Sequence, residues 1–241
     1  MLFQFRCRHN MAVDDSYTKA LLHMDGSDAS TTFTDESGKT WTANGNAQID
    51  TAQSKFGGAS GLFDGTGDWI DTPDSTDFDL FSSASESETI DFWVKINSAT
   101  DTSFICHYTD ANNFWQIDRL SSNNNIGFRL RVGGADLIGF SGSFFGDSNW
   151  HHFALVKVGG SPATYTIYKD GTSIATTTSS STGNFSGTLR IGGNGGAGFV
   201  SLNGWLDEFR ISKGVARWTA NFTPPTSAYA PAATSNFFPF F

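Results

Sequence analysis

The sequence predicts an all-β protein, and three observations carry that reading. Apolar residues recur at every second position in several segments, most clearly from Thr89 to Ile96, the period of a strand with one buried face. Only 16% of the 241 residues are charged while 26 are Gly, a balance that favours short strands joined by turns over helices. Aromatic residues reach 15%, with 23 Phe and 7 Trp, enough to fill the interior of a sandwich. A chain of this length is most simply one domain with one large core.

In chain order, Met1 to Asn10 is more basic and less regular than the rest of the chain, and Met11 reads as the natural start. Ala20 to Met24 is the first strand, closed by Asp25-Gly26. The polar stretch Ser27 to Asn46 holds turn signals at Glu36-Ser37-Gly38 and Asn44-Gly45, with Trp41 to Ala43 as a short edge strand. Gly57 to Asp64 passes through small residues into Leu62-Phe63, as suits a strand approached closely by another backbone. Trp69-Ile70 is expected to return as a hairpin after Gly65-Thr66-Gly67. Asp71 to Ser87 reads as a solvated acidic loop, its spacing matching no EF-hand.

In Thr89 to Ile96, Ile90, Phe92, Val94 and Ile96 face in, while Asp91, Trp93 and Lys95 face out. Strands follow at Ser103 to Tyr108, Phe114 to Arg119 and Ile126 to Val132. Trp150 to Val158 is apolar on both faces, as a central strand covered on both sides should be. Tyr165 to Lys169 and Thr172 to Thr176 form a hairpin, because Asp170-Gly171 readily adopts the positive φ angles such turns need. Thr176 to Ser186 is a polar loop; Gly192 to Gly198 is glycine-rich but lacks the lysine-serine ending and following helix of a phosphate cradle. In Trp205 to Ile211, simple alternation places Trp205, Asp207, Phe209 and Ile211 on the core face and Leu206, Glu208 and Arg210 on the other. Thr223-Pro224-Pro225 closes the domain.

Net charge is −9, with 24 acidic against 15 basic residues, which repels phosphate backbones and anionic membranes, so neither nucleic acid nor membrane insertion is expected. No apolar run approaches the roughly 18 residues of a membrane span, and residues 1–13 lack the pattern of a secretory signal. Cys7 and Cys106 are too few for a disulfide framework and read as free thiols.

Six segments carry a resemblance: His23 to Gly26 (HMDG), Lys55 to Gly65 (KFGGASGLFDG), Glu88 to Ile96 (ETIDFWVKI), Asn149 to Lys157 (NWHHFALVK), Tyr168 to Thr176 (YKDGTSIAT) and Gly204 to Trp218 (GWLDEFRISKGVARW). In this order they resemble the laminin G-like, concanavalin A-like jelly-roll superfamily, in wording similar to versions from tailed-phage and environmental viral structural proteins. The resemblance implies a two-sheet antiparallel jelly-roll sandwich over residues 19–225, with an N-terminal arm (1–18) and a C-terminal aromatic tail (226–241).

A carboxylate in a core-facing row needs a cation or several donors, so Asp207 must have a partner. The resemblance implies calcium, with Asp25 and Asp207 as side-chain ligands and loop carbonyls completing the shell. The alternative is a carboxylate satisfied by backbone amides, Arg210 or Arg217, although alternation sets Arg210 on the opposite face. The glucanase branch needs paired acids on one strand face. Around Glu86-Ser87-Glu88 and Asp91 no third carboxylate follows at the right step, and Asp207 and Glu208, being adjacent, should diverge. His151-His152 diverge likewise, with no further ligand spaced for zinc. No catalysis is expected.

Exposed rings stack on pyranose faces while amides bind hydroxyls, which makes Trp93, Tyr108, Trp115 and Asn113 the expected glycan contacts. Phe237, Phe238, Phe240 and Phe241 around Pro239 would expose a continuous apolar patch if free. They are expected either to anchor the subunit in a homo-oligomeric or larger assembly, or to clasp their own domain. The resulting expectation is a non-catalytic, lectin-like phage virion protein, structural or adhesive, located in the virion. Its expected partners are glycans, including host cell-surface polysaccharide, and other virion subunits. A carbohydrate-binding module of a secreted bacterial enzyme or surface adhesin is the alternative, and a β-glucan hydrolase the third.

Overall fold

The computed structural model describes residues 16–97, 101–120, 122–144, 147–193 and 201–229. Their strands are β1 (Thr18–Leu22), β2 (Thr42–Asn44), β3 (Gln48–Asp50), β4 (Ser60–Asp64), β5 (Trp69–Thr72), β6 (Glu88–Ile96), β7 (Thr102–Asp110) and β8 (Asn113–Leu120). They continue with β9 (Asn125–Val132), β10 (Ala135–Ser143), β11 (His151–Val158), β12 (Ala163–Lys169), β13 (Thr172–Ser179), β14 (Thr188–Ile191) and β15 (Asn203–Lys213).

These strands form two antiparallel sheets packed as a sandwich. One sheet has eight strands, ordered β13-β12-β11-β6-β15-β4-β3, with β1 also paired to β15. The other has seven, ordered β10-β9-β8-β7-β14-β5-β2. Between them lies a core rich in aromatic rings. Phe92 stacks on Phe153 (4.9 Å) and Phe209 (5.7 Å), and Phe81 packs on Phe128 (4.7 Å) and Trp115 (5.3 Å). Each such ring, fully buried, contributes about 1.5–3 kcal/mol of transfer free energy.

The alternation expected in β6 holds, with Ile90, Phe92, Val94 and Ile96 in the core. The β12–β13 hairpin also holds, with Asp170 (φ 48°) and Gly171 (φ 76°) both left-handed. Two expectations are corrected. Trp69-Ile70 does not return beside β4, because β3 and β15 already occupy both edges of that strand. The chain instead crosses to the other sheet, where β5 pairs with β14 and β2. Buried Asp68 ties the crossing by accepting from Asn46 N and Asp64 N, each at 2.6 Å.

The second correction is in β15. Its pairing with β6 shifts between Asp207 and Arg210, so that two residues oppose one, and Glu208 takes φ 49°. The bulge reverses the alternation: Leu206, Phe209 and Ile211 enter the core. Asp207, opposite Trp93, and Arg210, opposite Asp91, both face outward from the sandwich. Asp207 is therefore buried, as expected, but not beside Phe209 and Ile211. The expected divergence of Asp207 from Arg210 fails for the same reason.

The outer side of the eight-stranded sheet is covered by the C-terminal strap. Trp218 and Phe222 stack at 4.0 Å and pack over Tyr168 and His152. Past Pro225 the chain stays on the domain, and Tyr229 is buried against Leu21 and Arg210.

Candidate functional site

Cross-strand partners in an antiparallel sheet share a face, so register alone draws the open face of the seven-stranded sheet. One row runs Thr42, Asp71, Arg190, Cys106, Gln116, Arg129, Gly139. Beside it lie Ser103, Asp118, Gly127 and Ser141 on one flank, and Thr188, Tyr108, Phe114, Arg131 and Asp136 on the other. This is a largely polar face on a sheet whose other side packs mainly against the core.

Within it lies the buried carboxylate of Asp118, 6% exposed. Gln116 Nε2 donates to Asp118 Oδ2 at 2.6 Å, and Arg129 Nη2 stands 3.9 Å away. Burial pushes the Asp118 carboxyl up to about 6, against the pull of Gln116 and Arg129. A cavity of about 250 Å³ opens above it, walled by Gly127, Arg129, Gly139 and Ser141. Glycine makes the opening. A Cβ on residue 127 would lie 3.4 Å from Asp118 Oδ1, and one on residue 139 would meet nothing within 4 Å. Arg129 lies over the Phe114 ring (5.0 Å), and Arg131 pairs with Asp136 (3.2 Å). The site thus offers a carboxylate acceptor at its floor, held by Gln116, with the Arg129 guanidinium and the Ser141 hydroxyl in its walls.

The four residues expected to contact glycan do not form one surface. Trp115 is corrected outright: it is fully buried in the core. Trp93 faces away from the core as expected, but it lies on the other sheet and is only 6% exposed. Lys55 Nζ covers its ring at 3.9 Å and Phe56 meets it edge-on at 5.9 Å. Asn113 is engaged in its turn, donating to Asp110 and accepting from Gly133 N. Tyr108, half-buried and stacked on Phe114 (6.1 Å), is the one that borders the polar face. Sequence reasoning missed Gln116, Asp118 and Arg129. The available signal was FWQIDRL, where Gln116 and Asp118 alternate with the apolar Trp115 and Ile117 and so share one face of the strand.

On the outer side of the eight-stranded sheet, Asp91 receives Arg210 through two bonds, Nε to Oδ1 at 2.9 Å and Nη2 to Oδ2 at 3.1 Å. Tyr229 Oη also donates to Asp91 Oδ2, and His152 Nε2 lies 3.5 Å from it. Burial opposes its ionisation, yet Arg210 and His152 outweigh that and bring Asp91 down to about 2. Glu88, on the core side of β6, is pushed up to about 7 by burial despite Lys157 at 3.3 Å. Glu88 and Asp91 thus occupy opposite faces.

Asp207 Oδ2 accepts from the amides of Lys55 (2.7 Å) and Phe56 (3.1 Å), whereas its buried Oδ1 has no partner. Burial raises Asp207 to about 7, and Glu208 and Asp25 raise it further against those amide bonds. Asp25 sits at the same turn, since a Cβ on Gly57 would fall 2.1 Å from its Oδ2. The bulge also brings Glu208 to this side, where it accepts from Tyr229 N (2.8 Å) and contacts His23 Nδ1 (2.8 Å). The expected divergence of Asp207 and Glu208 is therefore corrected. An unpartnered buried oxygen suits a cation, but among the described residues no group of three His, Cys, Asp or Glu side chains gathers to hold a metal. Phe237, Phe238, Phe240 and Phe241 lie outside the described residues.

Among solved structures, the receptor-binding domain of botulinum neurotoxin C/D mosaic serotype is similar at 14% identity and TM-score 0.60, over 81% of this chain and 48% of that one. The binding domain of botulinum neurotoxin DC, in complex with rat synaptotagmin II, is similar at 19% identity and TM-score 0.60, over 81% and 48%. A structure of botulinum neurotoxin type C, described as entering cells through two ganglioside molecules, is similar at 19% identity and TM-score 0.59, over 81% and 47%. The chain spans about half the length of these structures. No curated protein matches. The family profile described as the concanavalin A-like lectin/glucanases superfamily matches residues 64–219, and with the two-sheet sandwich seen here the chain belongs to that superfamily.

Proposed function

We propose that this protein is a non-catalytic glycan-binding domain whose site is the open face of the seven-stranded sheet at Asp118. The observation that carries the reading is a polar row ending in a glycine-walled cavity over a buried carboxylate. Asp118, held in place by Gln116, accepts from sugar hydroxyls, Arg129 donates, and Tyr108 borders the face as a ring for stacking. Buried polar groups that lose a hydroxyl partner are left unpaired, which gives such a site its selectivity. Absence of catalysis is supported by Glu88 and Asp91 lying on opposite faces of β6, each engaged with its own cation. On a glycan array the protein should bind a defined set of oligosaccharides and leave laminarin unhydrolysed. Gly139→Leu should weaken that binding about tenfold or more without lowering the melting temperature, because the new side chain enters open space over the site. Full binding by Gly139→Leu, or turnover of laminarin, would refute this assignment.

The finer reading is a phage virion protein displaying this face towards host polysaccharide. It is supported by the acidic balance, by the likeness in wording to viral structural proteins and by the receptor-binding character of the similar structures. Copurification with particles in many symmetric copies is the expected finding; a protein recovered only free in culture fluid counts against it. In the same reading Asp25 and Asp207 hold calcium with carbonyls of the Lys55–Gly58 turn, and the Phe237–Phe241 segment joins copies of the subunit.

A further inference from the structure

Register sets Lys213, Glu88, Lys157 and Tyr165 in one row on the core side of the eight-stranded sheet, as successive cross-strand partners on β15, β6, β11 and β12. At the middle of the row Lys157 and Glu88 meet, Nζ 3.3 Å from Oε1, with both side chains 1% exposed or less. Their neighbours leave them to each other. Lys213 Nζ donates to Thr76 O at 2.7 Å, and Tyr165 Oη is buried with no hydrogen-bond partner among the described residues. Lys157 Nζ also donates to Ser83 O, which fixes the amine in place. The rings of Phe81 and Tyr165 stand 5.6 and 6.0 Å from Nζ and close the pair off from water. Phe81 takes a left-handed φ of 63°, and its N–H donates to both carboxyl oxygens of Glu88, at 3.0 and 3.1 Å.

We propose that this contact matures into a covalent cross-link, an isopeptide bond between Lys157 Nζ and Glu88 Cδ that staples β6 to β11. The atoms balance within the pair. The ammonium passes one proton to the carboxylate, leaving a neutral amine beside a neutral acid. Nζ then bonds to Cδ, one C–O bond breaks, and the departing hydroxyl takes a second proton from Nζ and leaves as water, with no change of oxidation state. Burial favours each stage. It pushes Glu88 up to about 7, so a share of the carboxyl is already protonated at neutral pH. A buried ion pair bears the desolvation cost of two charges, whereas the amide that replaces it bears none. The Phe81 N–H, already aimed at the carboxyl, is the donor for the oxyanion that forms on attack. Groups held in contact in this way reach effective molarities of about 10⁵–10⁸ M, which lets condensation outrun the reverse attack by water. The two residues are 69 positions apart, so the bond would keep two adjacent strands of the sheet tied even in the unfolded chain.

Intact-mass spectrometry of the purified full chain, read under denaturing conditions, tests the proposal. The protein should be lighter than its sequence by one water. Proteolysis should release a branched peptide that joins the Glu88 segment to the Lys157 segment, with no tryptic cut at Lys157. Lys157→Arg should carry its full mass, because a guanidinium stays protonated and does not attack the carboxyl. An imide at Asp25-Gly26, Asp64-Gly65 or Asp170-Gly171 would also lose a water, but it opens in hydroxylamine and persists in Lys157→Arg. A deficit of that kind overturns the cross-link. So does a folded parent protein of full mass whose Lys157 is cut by trypsin, since the pair is then an ordinary buried ion bridge. Should Lys157→Arg fail to fold, the presence or absence of the branched peptide in the parent decides alone.

Discussion

Arg210→Met is expected to destabilise the domain by about 3–5 kcal/mol, the usual consequence of leaving one member of a buried ion pair alone. Asp91 is fully buried, and Arg210 supplies two charge-assisted bonds to it from the neighbouring strand. Met replaces the volume of the side chain but none of its donors, so Asp91 must either remain charged with Tyr229 and His152 as neighbours or take up a proton. For a domain of this size the loss corresponds to a fall in melting temperature of about 6–20 °C. The pH dependence follows from the direction of the shift. Because the folded Asp91 carboxyl is brought down to about 2 from an unfolded value near 4, its contribution is fully present above about pH 4 and is lost as pH falls towards 2. Arg210→Met should therefore differ most from the parent at neutral pH and least near pH 2. A loss below about 1 kcal/mol at pH 7 would show that the pair contributes no more than a surface bridge.

Asp207→Asn is expected to act in the opposite direction when calcium is chelated. Burial raises the folded carboxyl to about 7, so its ionisation costs nothing below an unfolded value near 4 and increasingly more as pH climbs towards 7. Above pH 8 the penalty is on the order of 4 kcal/mol at most, and an amide of the same shape removes the charge while keeping an oxygen for the Lys55 and Phe56 amides. The variant should accordingly melt higher than the parent at pH 8 in chelator, with the advantage fading by pH 4. If Asp25 and Asp207 hold calcium, saturating the ion should raise the melting temperature of the parent and leave Asp207→Asn unmoved, by mass action on the folded state. An Asp207→Asn chain that melts lower in chelator shows that the ionised carboxylate is already satisfied without metal. No response of the parent to calcium removes the metal reading.

Much of the architecture was legible because strand period and turn chemistry are local. Ile90, Phe92, Val94 and Ile96 announce a buried face, and Asp170-Gly171 announces a hairpin. β10 was not legible, since at the edge of its sheet it keeps few buried residues and so carries little alternation to detect. The site residues divide the same way. Asp91 and Trp93 were correctly placed on the outer row of β6, but not their cover, because Lys55, Phe56 and Tyr229 reach them from segments distant in sequence. Trp115 shows the converse: ring chemistry alone cannot separate a core residue from a stacking platform.

By itself, then, the sequence determined an all-β chain, its superfamily and the inward rows of its best strands, since these depend on periodicity and on motifs within a few residues. Tertiary structure alone decided that β4 and β5 belong to different sheets, that a bulge at Glu208 turns Asp207 and Arg210 to one side, and that Gln116, Asp118 and Arg129 meet beside Gly127 and the uncovered Gly139. The physical reason is common to all three. Each depends on which strand edges are already filled and on a register that one extra residue reverses, and neither quantity is written in any single segment of the chain.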